Sequence, residues 1–327
     1  MANRTVVFEC MQRMVDLATI DAGDATYRIT TTPVDAVLET SIAALGLLNP
    51  PMLIEKKSNF YGILSGFRRV DACRRLHCRQ LPARIAAPTV DLKTYAAAAV
   101  AENSLQRPLN LVETARALGL IAATAGSRQA LETTAAALGL PCRYPIIEKI
   151  LPLRFFSPII QQGVIDSTLS LKTALALGNM QPEAGELLAG WFVDLKPSHS
   201  KQREMYTNLE EIALRENISL LKVAREMDLP ALAADPEPDR NRKIAILRER
   251  IRRRRYPVIT AAEKQIKQAI RALDPGPGIA LKPPAHLESS VFVFQLDFKS
   301  IAELKTRLQR LTRLADGKKL AEIIKPA

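Results

Sequence analysis

The sequence predicts an α+β protein: a small mixed-sheet domain, a helical middle domain and a small C-terminal α/β domain, with bounds at 1–118, 119–230 and 231–327. Three observations carry that expectation. The first hundred residues alternate short apolar runs with amphipathic segments, residues 151–230 keep helical spacing throughout, and "SSVFVFQLDF" near the C-terminus alternates apolar with polar residues. At 327 residues the chain is long enough for two or three separate cores.

In chain order, "RMVDLATI" reads as a strand, and "VDAVLETSIAALGLL" as a helix with Val37, Ile42, Leu45 and Leu48 on its apolar stripe. "PMLIEKKSNFYGILSG" reads as two short strands around a polar turn at residues 56–59. "SGFRRVDACRRL" switches to helical spacing with Val70, Cys73 and Leu76 on one stripe, so Gly66 stands where a strand hands over to a helix. An alanine-rich helix from Ala96 ends at or before Arg107, because Pro108 cannot continue it. Asn110 then opens the next helix with Glu113 three positions on, the spacing of a reciprocal cap.

"SRQALETTAAALGLPCRYPIIEKILPL" has the outline of a helix-turn-helix with Gly139 in the turn. Its second helix offers Ile146, Ile147 and Ile150 where base-reading side chains are expected, so the module reads as degenerate, with Arg128 and Arg143 as its DNA-contact candidates. The helical stretch that follows places Trp191 and Phe192 in a core and brackets Asn217 with two helices. Residues 230–241, rich in proline and acid, read as a linker. A helix carrying the apolar stripe Ile244, Leu247 and Ile251 comes next, then one opened by Thr260 and Glu263 at capping-box spacing and stopped by "DPGPG". The final strand sets Phe292, Phe294, Leu296 and Phe298 on one face, and Ser300 with Glu303 caps a helix carrying Leu304, Leu308 and Leu311.

No run approaches the roughly 20 apolar residues of a membrane span, and the N-terminal residues lack a secretion signal's apolar core, so a soluble cytoplasmic chain with no membrane partner is expected. The four cysteines read as reduced thiols; "CRRLHC" has no second ligand pair to make a zinc site. The formal net charge is +12, and residues 240–255 hold nine basic residues against one glutamate. That asymmetry favours a polyanion, nucleic acid before membrane, with Arg248, Arg250, Arg252, Arg253, Arg254 and Arg255 as candidate DNA contacts; a solvated helix face is the alternative.

The first turn of a helix leaves backbone N–H groups without partners and carries the positive end of the helix dipole. Gly66 allows close approach there, and Arg68 and Arg69 add planar donors suited to phosphate oxygens. Further along, Glu102, Asn103, Gln106 and Arg107 gather near a helix end, where a carboxylate beside a carboxamide offers oxygen ligands for a hard cation such as Mg²⁺.

Together "GFRR" (66–69), "ENSLQR" (102–107), "LNLVETAR" (109–116) and "GLLNPPML" (46–53) resemble, in order and spacing, the boxes of the ParB family of DNA-partition proteins. The second box agrees with the family's usual form if Ser104 is an insertion. The resemblance implies a ParB/sulfiredoxin-like fold for the first domain and a pocket for CTP or another nucleoside triphosphate. Gly66, Arg68 and Arg69 would stand at the phosphates, Glu102 and Asn103 on the Mg²⁺ side, and Gln106, Arg107 and Arg28 beside them as nucleotide contacts. It further implies a nucleotide-responsive DNA-binding protein of partition or transcription-regulation type, with DNA as partner and a homodimer as its form. Phe67 stands where the family carries a glutamate that supports slow hydrolysis, which argues against efficient turnover and leaves weak CTPase-like activity open. Sulfiredoxin activity is not expected, since "SGFRR" holds no cysteine. Two other classes stay open: a ParB-like nuclease using Glu102 and a metal, and a non-enzymatic scaffold with a vestigial pocket.

Overall fold

In the computed structural model, which describes residues 8–87, 90–284 and 291–324, strand β1 (Cys10–Asp16) comes first. It stops where the Asp16 carboxylate accepts the Ala18 N–H at 2.9 Å and a 3₁₀ turn, Leu17–Thr19, begins. The strand expected over "RMVDLATI" therefore starts earlier and ends earlier. Helix α1 (Ala36–Leu45) is capped by Asp35, whose side chain accepts from Leu38 N. Its expected stripe is corrected: Ile42 is buried, but Val37, Leu45 and Leu48 are exposed, and the packed face is Leu38 with Ile42. Those two are four positions apart and share a face, whereas Val37 and Ile42 are about 140° apart around the helix.

Strands β2 (Met52–Lys57) and β3 (Phe60–Ser65) pair antiparallel, and the turn between them puts Asn59 at φ 55°. Helix α2 (Phe67–Arg75) follows, then β4 (Gln80–Ala86), which the sequence reading does not anticipate. The sheet order is β1-β4-β2-β3, with β4 antiparallel to β1 and parallel to β2. Helix α3 (Leu92–Ser104) begins four residues before Ala96 because Asp91 caps it. In α4 (Leu111–Thr124) Asn110 and Glu113 form the reciprocal cap. Leu53, Leu64, Val70, Leu81, Ala83 and Ala99 are buried in the core between sheet and helices.

The chain then runs through α5 (Arg128–Ala137), α6 (Tyr144–Ile150), a 3₁₀ turn at Leu151–Phe155, α7 (Pro158–Ile165), α8 (Leu171–Gly178) and α9 (Pro182–Leu195). Trp191 and Phe192 are buried, as expected. Ile147 and Ile150 of α6 are buried and Ile146 is 44% exposed. The residues to 199 make one compact unit.

Residues 200–327 make a second unit. Helices α10 (His199–Glu216) and α11 (Leu220–Glu226) flank Asn217, at φ 53°. The expected linker is corrected in its first part: α12 (Leu229–Ala234) forms there with Pro230 in its first turn, where a missing N–H does no harm, and buries Leu229 and Leu232. Helix α13 (Arg240–Arg255) buries Ile244, Leu247 and Ile251, the expected stripe. Helix α14 (Pro257–Leu273) starts at Pro257 and not at Thr260, and Glu263 pairs with Arg252 instead of closing a cap. A two-stranded sheet, β5 (Ile279–Lys282) with β6 (Val293–Leu296), packs Phe292 and Phe294 against Leu273, Leu281, Leu320 and Ile323, while Phe298 is exposed. Helices α15 (Ile301–Ala315) and α16 (Lys318–Ile324) complete the unit. Among the described residues no helix is long and apolar enough to cross a membrane.

Candidate functional site

The strand-to-helix corner after β3 is built on Gly66, which caps α2 at φ 93° and ψ 25°. A Cβ there would lie 2.8 Å from Pro51 Cβ and in a backbone region that L residues rarely adopt. Among the described residues no side chain caps α2; the Arg69 N–H bonds the Gly66 carbonyl at 2.9 Å, and the N–H groups of Phe67 and Arg68 keep their need for an acceptor. Val70 and Cys73 anchor the helix in the core, and burial pushes the Cys73 thiol up to about 11.

Beside this corner lies a cavity of about 560 Å³. Gly66, Arg68 and Arg69 line it from the start of α2, Glu102 and Asn103 from the end of α3, Gln106 and Arg107 from the turn beyond, and Arg84 from β4. Seven of the eight nucleotide candidates, from segments about 35 residues apart, thus share one concave surface. The eighth does not: Arg28 pairs with Asp71 at 2.7 Å, lies over the Phe67 ring at 5.4 Å and lines a different cavity. The chain between explains the displacement, since Ile29 and Thr30 line the first cavity while Arg28 lines the second.

Four guanidinium groups face one carboxylate among the described lining residues. Arg68 bonds to the Pro33 carbonyl at 3.1 Å and to Asp35 at 2.7 Å, on the exposed rim. Arg69 donates to the carbonyls of Asn49 and Pro50 and pairs with no carboxylate among the described residues; burial pushes its pKa down from the ordinary arginine value, against the pull of Glu102. Arg84 reaches Glu102 at 3.2 Å, and its buried Nε has no hydrogen-bond partner. Arg107 holds Glu113 through two bonds of 2.7 and 2.9 Å. Glu113 is completely buried and also accepts from the N–H groups of Thr31 and Asn110. Burial pushes its carboxyl up, but Arg107 and those backbone donors outweigh burial and hold it below its ordinary value.

Excess positive charge, an open helix N-terminus and orphaned donors suit a polyphosphate. Glu102 and Asn103 bring side-chain oxygens to the lining from one end of α3, beside those of Thr30, Asn49, Ser65 and Gln106; the Asn103 amide nitrogen is tied to the Ala99 carbonyl at 2.8 Å. That set fits a Mg²⁺ ion that keeps waters and phosphate oxygens as its other ligands. Phe67 is 5% exposed, part of the core, and supplies no oxygen. A nuclease would need a second carboxylate, and Glu102 stands alone on the described lining.

Sequence reasoning missed Arg84. The signal was there: in "QLPARIA" Leu81, Ala83 and Ile85 are buried and Arg84 falls on the other face of the strand.

The DNA candidates are placed differently. Arg128 pairs with Glu132 and lies 4.2 Å from the centroid of the Tyr144 ring, while Arg143 is exposed at the start of α6. On α13, Arg248 pairs with Glu204 and Arg252 with Glu263, each at 2.6 Å; Arg254 pairs with Glu216 and Glu226, and Arg255 with Glu211. Arg250 donates to the Met227 carbonyl at 3.0 Å, and Arg253 bonds Glu249 while staying 63% exposed.

No curated protein matches the sequence. Among solved structures, the chain is similar to the C-terminally truncated chromosome-partitioning protein ParB from Caulobacter crescentus complexed with CTP-γ-S. The identity is 19%, covering 56% of this chain and 99% of that one, with a TM-score of 0.27. It is also similar to the same protein complexed to the centromeric parS site (17% identity, 58% and 96% covered, TM-score 0.32) and to a Pnob8-like ParB-N domain (13%, 60% and 92%, 0.36). The family model described as the ParB N-terminal domain matches residues 10–104, which span the sheet, the Gly66 corner and helix α3 with Glu102 and Asn103. Residues 10–104 of this chain are a ParB N-terminal domain.

Proposed function

We propose that the chain is a ParB-like, nucleotide-responsive DNA-binding protein whose N-terminal domain holds CTP or another nucleoside triphosphate in the arginine-lined cavity. The observation that carries this reading is the convergence of Gly66, Arg68 and Arg69 with Glu102, Asn103, Gln106 and Arg107 on one surface, where Arg69 has no acidic partner and Arg84 has an orphaned Nε. The cavity volume falls in the range of nucleotide-sized ligands. A triphosphate supplies an anionic partner for Arg69 and acceptors for the Arg84 Nε and for the Phe67 and Arg68 N–H groups at the start of α2. Glu102 and Asn103 would hold Mg²⁺ on the phosphate side, where the ion would neutralise charge between phosphate oxygens. Phe67 offers neither a base nor a metal ligand, so the reading assigns binding and assigns no turnover.

The test is a titration of labelled CTP, ATP and GTP with Mg²⁺ into the full chain and into Arg69→Ala. Saturable binding by the wild type, weakened at least about tenfold by the substitution, is expected. Equal, negligible signal from both would reject nucleotide binding and leave the scaffold reading.

DNA contact in this reading is electrostatic. Arg248, Arg252, Arg254 and Arg255 are held by carboxylates of other helices, so on α13 the phosphate contacts fall first to the exposed Arg240 and Arg242, then to Arg253, which is 63% exposed and pairs with Glu249 one turn away, with Arg128 and Arg143 as candidates in the first unit. Each phosphate contact adds roughly 0.9 to the log-log slope of affinity against salt, so the Arg240→Gln/Arg242→Gln variant should lower that slope by about two in fluorescence anisotropy with duplex DNA. Association of two copies is part of the same proposal: Ile301 and Leu308 of α15 and Val258 and Ile259 of α14 leave apolar side chains exposed.

A further inference from the structure

A second cavity in the first unit, about 420 Å³, gathers three more guanidinium groups: Arg28 from the loop before α1, Arg116 from α4 and Arg154 from the 3₁₀ turn Leu151–Phe155. Their partners do not balance them. Arg28 has Asp71 at 2.7 Å. Arg116 donates to the carbonyls of Ile29 and Thr30, at 3.5 and 3.2 Å, and to the Gln161 side-chain oxygen at 3.0 Å, all neutral acceptors. Arg154 has neither a carboxylate nor a hydrogen-bond acceptor among the described residues, and its Nη1 is buried without a partner. Burial pushes both Arg116 and Arg154 below the ordinary arginine value.

The position of Arg154 is built in. Its guanidinium lies on helix α4 at Gly119, where a Cβ would come within 2.6 Å of Nη1 and 2.9 Å of Cδ, so a residue larger than glycine would displace it. On its other side it lies 4.3 Å from the centroid of the Phe155 ring, which is 76% exposed at the mouth of the cavity. Buried guanidinium donors without acceptors are unfavourable unless a ligand provides oxygens. Guanidinium forks from several directions match the tetrahedral oxygens of phosphate, and an exposed aromatic ring beside them offers a stacking surface to a base.

We propose that this cavity is a second anion site, separate from the first, which takes the phosphate group of a nucleotide between Arg28, Arg116 and Arg154, with the base against Phe155. The nucleotide is either free or part of a single strand; the chemistry recognised is the same, and the test separates the two sources.

The experiment is calorimetry on the full chain carrying Arg69→Ala, in which the first cavity has lost the guanidinium that pairs with no carboxylate among the described residues. 5′-AMP and a twelve-residue thymidine oligonucleotide are the probes, and adenosine is the control without phosphate. Saturable binding of at least one probe is expected, with adenosine and the Arg154→Gln double variant each at least about tenfold weaker. The probe with the higher affinity names the source. Gly119→Ala in the same background is a second route to the site, since it displaces the guanidinium and keeps its charge; it too should weaken binding, with the circular dichroism spectrum unchanged. No saturable binding by either probe, or binding that ignores both Arg154→Gln and Gly119→Ala, would overturn the proposal. Because Arg154→Gln and Gly119→Ala are each compared with a chain that already carries Arg69→Ala, their effect reads the second site apart from the loss at the first.

Discussion

Replacing Glu113 with glutamine keeps its size and removes its charge at a point where the first unit has no slack. The carboxylate is fully buried and accepts from both Arg107 nitrogens, from Thr31 N at 3.0 Å and from Asn110 N at 3.2 Å. Each of those donors needs an acceptor. A glutamine offers one carbonyl oxygen, and its NH₂ group must face at least one donor it cannot satisfy. Losing one charge-assisted bond removes about 1.5–3 kcal/mol, and an unsatisfied buried donor costs about 1–3 kcal/mol more. Breaking a buried ion pair from one side typically costs about 3–5 kcal/mol; the Arg107 side chain is 43% exposed and can turn to water, so about 3 kcal/mol is expected here.

The assay follows from the sequence, because the chain has a single tryptophan, Trp191, buried in this unit. Its fluorescence during urea unfolding reports the unit containing the substitution. For a unit of this size, about 3 kcal/mol corresponds to a fall in Tm of roughly 6–12 °C. The pH dependence has a fixed sign. The folded-state carboxyl lies below its ordinary value of 4.5, so its contribution is fully present above about pH 4.5 and is lost as pH falls through the lower folded value. The variant should therefore lose that acid-dependent part of the unfolding curve. A change under about 1 kcal/mol, with the wild-type pH profile intact, would refute the account of Glu113 as a buried, charge-dependent staple.

Two shorter predictions follow from other parts of the chain. Arg254 and Arg215 lower the Glu216 carboxyl to about 2, so a carbon-13 NMR titration of side-chain carboxyls should find one group ionised well below pH 4; a Glu216 midpoint near 4.5 would show that the pairs to α13 do not form. Cys73 is 2% exposed with its thiol pushed up to about 11, whereas Cys10 and Cys142 are exposed, so an aromatic disulfide reagent at pH 8 should label the latter two first; equal rates would contradict the packing of α2.

The legible parts of this fold are those where local chemistry decides the outcome. Gly66 between an apolar run and an amphipathic one, Asn110 with Glu113, and the Ile244, Leu247, Ile251 stripe were all readable because a turn, a cap and a helical period are short-range. What stayed hidden depends on partners far away in sequence. Glu113 reads as an ordinary cap residue until Thr31, 82 positions earlier, is found to donate to it. The stripe assigned to α1 failed because several apolar side chains fall at near-helical spacing there and only tertiary packing selects Leu38 and Ile42. Strand β4 was skipped because its proline and its arginine break the look of an apolar run, although Pro82 and Arg84 both fall on the less buried face.

The largest revision concerns charge. A run of arginines reads as an invitation to a polyanion, yet a cation's readiness to bind phosphate depends on what it already holds. On α13 four of the nine basic residues are met by glutamates from α10, α11 and α14, so a phosphate must displace a carboxylate to reach Arg248, Arg252, Arg254 or Arg255. In the first unit the count of arginines is unremarkable, but Arg69, Arg116 and Arg154 have only neutral acceptors or none. Their partial burial makes that lack more costly, since a partly desolvated guanidinium has fewer waters to fall back on. An anion entering either cavity gains pairing that the protein itself withholds, whereas an anion at Arg248, Arg252, Arg254 or Arg255 of α13 exchanges one partner for another. Phosphate is therefore expected to bind more tightly in the two cavities than at the paired arginines of α13.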